Sequence, residues 1–152
     1  MLVSVTRLRV RSLKYLPAFL WQTFLSQRQV VRAPGFSHGK LLIDRRRTFW
    51  TVTVWQDERS MKAFRGTSHH SKVMPRLADW CDEASYAHWM SGDTAAPSWE
   101  DSHEHLVREA RMSRVSYPSP NHQAGQFAKP RLTPLIEKKL KPAGRASSRT
   151  GD

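Results

Sequence analysis

The 152-residue chain has one cysteine, Cys81, and a lone thiol can neither close an intrachain disulfide nor build a thiolate metal cluster. Disulfide scaffolds and zinc fingers are excluded, and a reducing compartment, the cytoplasm, is the expected location. Clean apolar runs are also missing. The longest, Leu13 to Leu25, is interrupted by Lys14, Pro17, Gln22 and Thr23, short of the roughly 20 residues that a membrane span needs. No spanning helix and no membrane partner are expected. There is no Gly-rich phosphate loop, no serine nucleophile elbow, no His-Glu-x-x-His pair and no paired Cys-His constellation, so the common signatures of phosphate-binding, hydrolytic and zinc enzymes are absent. Acidic residues are absent before Asp44. An Arg-rich, acid-free start followed by an apolar stretch has the look of a targeting segment. The same residues, however, supply a strand and a helix of the expected core, and cleavage would remove them from it.

What the chain does have is enough for one core: 39% of its residues are apolar and 25% charged, in a length suited to a single domain. Lys and Arg number 25 against 13 Asp and Glu, a net charge of +12, which raises the question of an acidic partner. The excess is uneven. Residues 1–47 carry ten basic side chains and one acidic, residues 48–112 seven and ten, and residues 113–152 eight and two. The last stretch also holds Pro118, Pro120, Pro130, Pro134 and Pro142, too polar and broken to repay the entropy of ordering. The expected organisation is therefore a domain over residues 1–92, an added helix in 93–112 and a flexible basic tail over 113–152. Within that tail Leu132, Leu135, Ile136 and Leu140 are spaced for a short helix from Pro134 onward, marginal without a partner.

Residues 2–10 are rich in Leu, Val and Thr without Gly or Pro and read as a first strand. From Pro17, the residues Leu16, Phe19, Leu20, Thr23, Phe24, Gln27 and Val30 or Val31 recur at three- and four-residue steps, predicting a helix to about Arg32 that Pro34-Gly35 stops. Residues 36–43 make a second strand, and Thr48 to Trp55 the strongest strand signal of all. In that strand Phe49, Thr51, Thr53 and Trp55 face one way and Trp50, Val52 and Val54 the other. Asp57 caps a helix carrying Met61 and Phe64, broken at Gly66-Thr67 and resuming from Ser68 to Trp80 or Cys81, with Pro75 expected to kink it. Glu83 to Met90 supplies a fourth strand. Strand, helix, strand, strand, helix, strand is the split β-α-β order of an α+β, ferredoxin-like antiparallel sheet with both helices on one face.

Helices on one face leave the other to be covered, because a sheet displaying aromatics is not left in water. Phe49 and Trp55, or Trp50 in the opposite phase, would stand there. A second copy of the same sheet is the expected cover, giving a homodimeric α/β barrel with a sheltered space between sheet and helices. After the fourth strand, Ser98-Trp-Glu-Asp opens a capped helix whose apolar side, Trp99, His103, Leu106 and Val107, suits docking on the domain or on the other subunit.

The run Phe49-Trp-Thr-Val-Thr-Val-Trp-Gln-Asp-Glu, then Ser60-Met-Lys-Ala-Phe64, Ser68-His-His-Ser-Lys-Val-Met74 and Glu83-Ala-Ser-Tyr-Ala-His-Trp, resembles the dimeric α/β-barrel superfamily. Within it, the resemblance is to antibiotic-biosynthesis-monooxygenase-like domains and relatives grouped near spheroidene monooxygenase, over about residues 2–90. It implies an apolar ligand, aromatic or polyene, held between sheet and helices, with either no cofactor or heme, and leaves open whether the chain is an enzyme or a binding or stress-related module. In the heme-degrading branch a Trp and an iron-ligating His lie on the second helix and an Asn on the first strand. Here Phe64 and Met74 stand at the first two positions, and the first strand offers Thr6 and Arg7. His70, one turn before Met74, is the residue that this resemblance puts forward as catalytic base or ligand, with Trp55, Phe64 and Met74 as walls.

On the residues themselves, His69 and His70 are adjacent and point about a third of a turn apart on a helix, so they cannot share one metal. The plainer role for either is local hydrogen bonding at the Gly66–Ser68 break. Tyr86 and His88 on one strand face would turn polar tips into an apolar cavity, and with His38 they could equally be edge or interface residues. Trp50, Trp55, Trp80 and Trp89 read first as core and dimer contacts, and Cys81 as a packed apolar residue. His103 and His105 are two apart and face different ways, so no metal site is expected. Arg7, Arg9 and Arg11, Arg45 to Arg47 and the Lys-rich tail favour a nucleic-acid partner, but few aromatics accompany the tail and that reading is not preferred. Arg7, Arg9 and Arg11 could instead meet the acids of residues 57–58 or 100–104 across a dimer.

Overall fold

The computed structural model describes residues 1–131 and 136–144; for residues 68–71 it describes the backbone and not the side chains. Uninterrupted β-branched and aromatic stretches form β1 (Leu2–Val10), β2 (Phe36–Ile43), β3 (Thr48–Trp55) and β4 (Cys81–Met90). Between them lie a 3-10 turn at Leu13–Tyr15, α1 (Leu16–Val30), α2 (Glu58–Arg65) and α3 (Ser68–Trp80). Asp57 caps α2 by accepting from the Ser60 amide, and Gly66 ends it. Pro75 lies inside α3. At the β2–β3 turn the Asp44 carboxylate accepts from the amides of Arg46 and Thr48, and Arg47 takes a left-handed φ of 62°.

All strand pairs are antiparallel, in the order β5-β4-β1-β3-β2-β6, an α+β ferredoxin-like sheet with two added edge strands. β4 begins at Cys81, two residues before the expected Glu83, where a register shift between Arg9 and Val10 lets Val10 pair with Cys81. Among the described residues no helix is long and apolar enough to cross a membrane.

The end of the chain differs from expectation. The helix expected from Pro134 is instead strand β6 (Ile136–Leu140), paired with β2 from Gly39 to Ile43; residues 132–135 lie outside the described residues. An isolated helix of that length is marginal, whereas the β2 edge offers a ready row of backbone partners, and Leu140 is buried beside Leu2, Phe36 and Trp55. The flexible-tail expectation is likewise corrected over residues 113–131 and 136–144. After the two-residue β5 (Arg111–Met112), Val115 enters the core and the Ser113 amide donates to Ala84. The short α5 (Pro120–Ala124) then sits against β4, where the Ser119 hydroxyl donates to Glu83.

α1, α2 and α3 cover one face of the sheet. The other carries Val3, Val5, Leu42, Trp50, Val52, Val54 and Ala87, the Trp50 phase of the two considered. Its cover is the chain's own helix α4 (Trp99–Glu109), which opens with a Ser98–Asp101 capping box and buries Trp99, Ser102 and Leu106. His103 Nε2 meets the Phe127 carbonyl at 2.8 Å, Trp99 Nε1 donates to Glu137, Lys40 lies over the Trp99 ring, and His105 stacks flat on Trp89 at 3.6 Å. The exposed apolar face from which a second copy was expected is thus enclosed within a single chain. The arginines also find partners at home rather than across a dimer. Arg7 pairs with Glu83, Arg9 with Asp82, and Arg11 donates to the Asp79 carbonyl and the Tyr15 hydroxyl.

Candidate functional site

Antiparallel pairing puts directly opposed residues on the same face, so the register of β4, β1 and β3 can be read as rows across the helix-covered side. The outer rows are Leu2 with Trp55 and Met90, and Leu8 with Phe49 and Ala84. The two between them are Ser4 with Thr53 and His88, and Thr6 with Thr51 and Tyr86. The apolar ends belong to two separate clusters. One holds Val10, Phe19, Leu41, Ile43, Phe49, Cys81 and Ala84; the other holds Leu2, Val30, Phe36, Trp55, Met61 and Leu140. Between them runs a strip of four hydroxyls, a phenol and an imidazole. Ser4 is buried and the other five are half-buried, so the sheet's centre is polar where its ends are greasy.

Tyr86 and His88 have ring centroids 5.2 Å apart, and Arg65 of α2 lies 5.4 Å over the Tyr86 ring. Burial lowers the His88 pKa, and the positive charges of Arg65, Arg111 and Lys62 add to this against the opposing pull of Glu58. His88 is therefore a neutral imidazole at pH 7, a competent proton acceptor. Glu58, exposed, is held below the ordinary carboxylate range by its hydrogen bond and charge contact with Lys62.

Trp55 is enclosed, its Nε1 donates to Thr53 Oγ1 at 2.9 Å, and its ring meets Phe36 at 5.5 Å and Phe64 at 5.4 Å. Trp55 and Phe64 thus stand together at one end of the strip, and Tyr86 and His88 within it. Met74, expected as a wall, is 41% exposed on α3 and does not pack with the Trp55 cluster. His70 lies in the first turn of α3, and its side chain, like that of His69, falls outside the described residues. The break before α3 is bridged by Thr67, whose hydroxyl donates to the Phe64 carbonyl. Sequence reasoning missed Ser4, Thr6, Thr51 and Thr53 as site residues. Their signal was the shared period-two phase of two neighbouring strands, in which the polar positions coincide.

Elsewhere, Cys81 is buried and its thiol pKa is pushed up to about 12, first by burial and then by Asp82, so it is no nucleophile. A polar cavity of about 210 Å³ on the opposite face is lined by Trp89, Asp93, Asp101, Glu104 and His105 among others. Two of the three acids there are already engaged, Asp101 in the α4 cap and Asp93 with the Ala95 amide.

The sheet order and the helix layer on one face make an α+β ferredoxin-like fold, the fold shared by solved antibiotic-biosynthesis-monooxygenase-like proteins. Similar solved structures include a candidate antibiotic biosynthesis monooxygenase from Nitrosomonas europaea, with TM-score 0.55 and 20% identity over 61% of this chain and 100% of that one. Another candidate of the same description, from Deinococcus radiodurans, has TM-score 0.57 and 11% identity over 64% and 99%. SnoaB, a cofactor-independent oxygenase from Streptomyces nogalater, has TM-score 0.50 and 16% identity over 61% and 94%. No protein-family profile matches the sequence, and no curated protein matches it significantly. Identities this low speak for the fold. The coverage adds that nearly the whole of each neighbour is matched by under two thirds of this chain, so this chain extends beyond the shared frame.

Heme, one of the two cofactor alternatives, is poorly served by the described residues. The first-strand position is hydroxyl-bearing Thr6, Phe64 is packed against Trp55, and Met74 is exposed. Among the described residues no three His, Cys, Asp or Glu side chains are grouped to hold a metal ion.

Proposed function

We propose that the chain binds an apolar aromatic or polyene molecule between the sheet and α1–α3 and acts on it in the manner of a monooxygenase-like, cofactor-independent protein. The observation that carries this reading is the strip of Ser4, Thr6, Thr51, Thr53, Tyr86 and His88 set between two apolar clusters. Half-buried Phe64, backed by the enclosed Trp55, offers flat apolar contact to a ring or polyene, while the hydroxyls orient its polar substituents. Neutral His88 accepts a phenolic or enolic proton, leaving the electron-rich anion that such chemistry needs. His70 is the second candidate base, on the family likeness alone.

A binding module without turnover would use the same strip. The two readings part in one experiment: oxygen uptake by the purified protein with a panel of polycyclic phenols and polyenes, alongside fluorescence titration of the same compounds. Uptake lost in His88→Gln with binding retained supports the enzymatic reading. Binding without uptake supports the module, and neither activity across the panel overturns both. Loss in His70→Ala but not in His88→Gln transfers the base to His70. A Soret band on heme addition that disappears in either variant would reopen the heme alternative. A homodimer, if formed, has to use a surface other than the apolar sheet face, which α4 occupies.

A further inference from the structure

α1 carries a second feature that the proposed ligand site does not use. Its buried side is short, Phe19 and Val30, while the side turned to solvent bears Pro17, Leu20, Trp21 and Phe24, residues that fall on one helical stripe by their spacing, and Leu13 of the preceding 3-10 turn is exposed as well. Leu13 is 68% exposed, Trp21 58%, Phe24 46% and Leu20 40%. Trp21 and Phe24 stack at 5.8 Å, and Arg28 lies 5.8 Å over the Phe24 ring. A contiguous exposed stripe of this kind marks an interaction surface.

The charged residues of this segment are all basic. Lys14 just before the helix, Arg28 on it and Arg32 just past it are exposed, and the chain has no acid before Asp44. β6 brings Lys138 alongside, its Nζ 3.3 Å from the Gln27 amide oxygen, and the Ala143 amide bonds the Val31 carbonyl at the helix end, which fixes this basic segment beside α1. A second copy of α1 would set these cations against their own kind. Single-stranded nucleic acid would use the rings and the cations but leave Leu13, Pro17 and Leu20 in water. An anionic bilayer surface satisfies every part: aliphatic and aromatic side chains enter the headgroup boundary, and the cations meet lipid phosphates.

We propose that α1 seats this protein on anionic membrane surfaces, with Trp21 and Phe24 as the inserted residues and Lys14, Arg28, Arg32 and Lys138 as the electrostatic rim. The expectation of no membrane partner was drawn from the lack of a span; a helix lying in the interface is a different geometry. The inference stands whatever the polar strip beneath the helices binds.

The test is cosedimentation of the full chain with vesicles of equimolar phosphatidylglycerol and phosphatidylcholine, and with phosphatidylcholine alone. Binding to the anionic vesicles is expected, with at least about tenfold loss in Trp21→Ser/Phe24→Ser and about fivefold loss for each of Arg28→Gln and Arg32→Gln. Unchanged circular dichroism and urea midpoint show that these exposed substitutions leave the fold intact. Any of four results overturns the proposal: no binding, equal binding to both vesicle types, binding to anionic vesicles that the double variant retains, or displacement of vesicles by a single-stranded oligonucleotide. Self-association of the free protein that the double variant abolishes also overturns it, in favour of a second copy as occupant.

Discussion

Alternate residues of the same strands build two faces of opposite character. On the α4 side, Val3, Val5, Val52, Val54 and Trp50 form a continuous apolar layer sealed by Trp99 and Leu106, with a buried ion pair, Arg7–Glu83, at one end. On the α1–α3 side, the apolar packing is split in two, and hydroxyls and rings occupy the gap. A face packed without interruption gives stability, and one interrupted by half-buried polar groups gives up part of that stability for the chance to hold something else. The difference says which face to search for chemistry.

The sharpest way to break this contrast is Trp50→Ala. It removes a fully enclosed side chain from the sealed face and is expected to cost about 3–5 kcal/mol, read from urea denaturation. Ligand binding at the other face should persist in whatever fraction remains folded. Next comes Glu83→Gln, which leaves the Arg7 guanidinium buried without its counter-charge and should cost about 3 kcal/mol near neutral pH. Burial alone would push the Glu83 pKa up. The hydrogen bond and charge of Arg7, helped by Ser119 and Arg9, outweigh that and hold it below the ordinary value. A depressed folded-state pKa means stability is present above the unfolded value, about 4.3, and lost as pH falls through the folded one. The gap between wild type and Glu83→Gln should therefore close in acid.

Ser98→Ala, which removes the cap of the helix sealing the apolar face, should cost about 1 kcal/mol and no more. The smallest stability effect is expected at the strip. His88→Gln should change stability by less than about 1 kcal/mol at alkaline pH while abolishing a pH dependence. Because the folded-state pKa of His88 is lowered, the unfolded chain takes up the proton first, and stability declines as pH falls below about 6.5 towards the folded value. Differential denaturation of wild type and variant between about pH 7 and about pH 5 isolates this component. A flat difference would mean that His88 is solvated as in a free peptide, and the contrast between the faces would weaken accordingly.

Much of the frame was readable from the chain alone, for identifiable reasons. The alternation of Thr48–Trp55, the Asp57 and Ser98 caps and the Gly66-Thr67 break are local signals, and local chemistry decides them. Which phase of β3 lies under the three helices was not readable, because both phases carry a Trp and both faces are covered. Strand β6 was missed because Ile136 and Leu140 suit a helix as well as a strand, and what decides between them is the β2 edge, far upstream in the sequence. The hydroxyl strip escaped for a related cause. Ser4 and Thr6 look unremarkable on one strand, as do Thr51 and Thr53 on another, and only register brings them into line with Tyr86 and His88. Of the proposed walls, Trp55 and Phe64 meet and Met74 does not join them, since its helix turns it outward.

The added strands have one more consequence, for how the molecule behaves in a crowd. An open sheet invites other chains to extend it, and a long bare border is the usual starting point for aggregation. Here one border is a strand of only two residues, Arg111–Met112, and the other presents Glu137, Lys138 and Lys139 in succession. Neither offers a neighbouring chain an uncharged ladder to climb. The chain's last described strand thus acts as a guard against templated stacking as well as a member of the sheet.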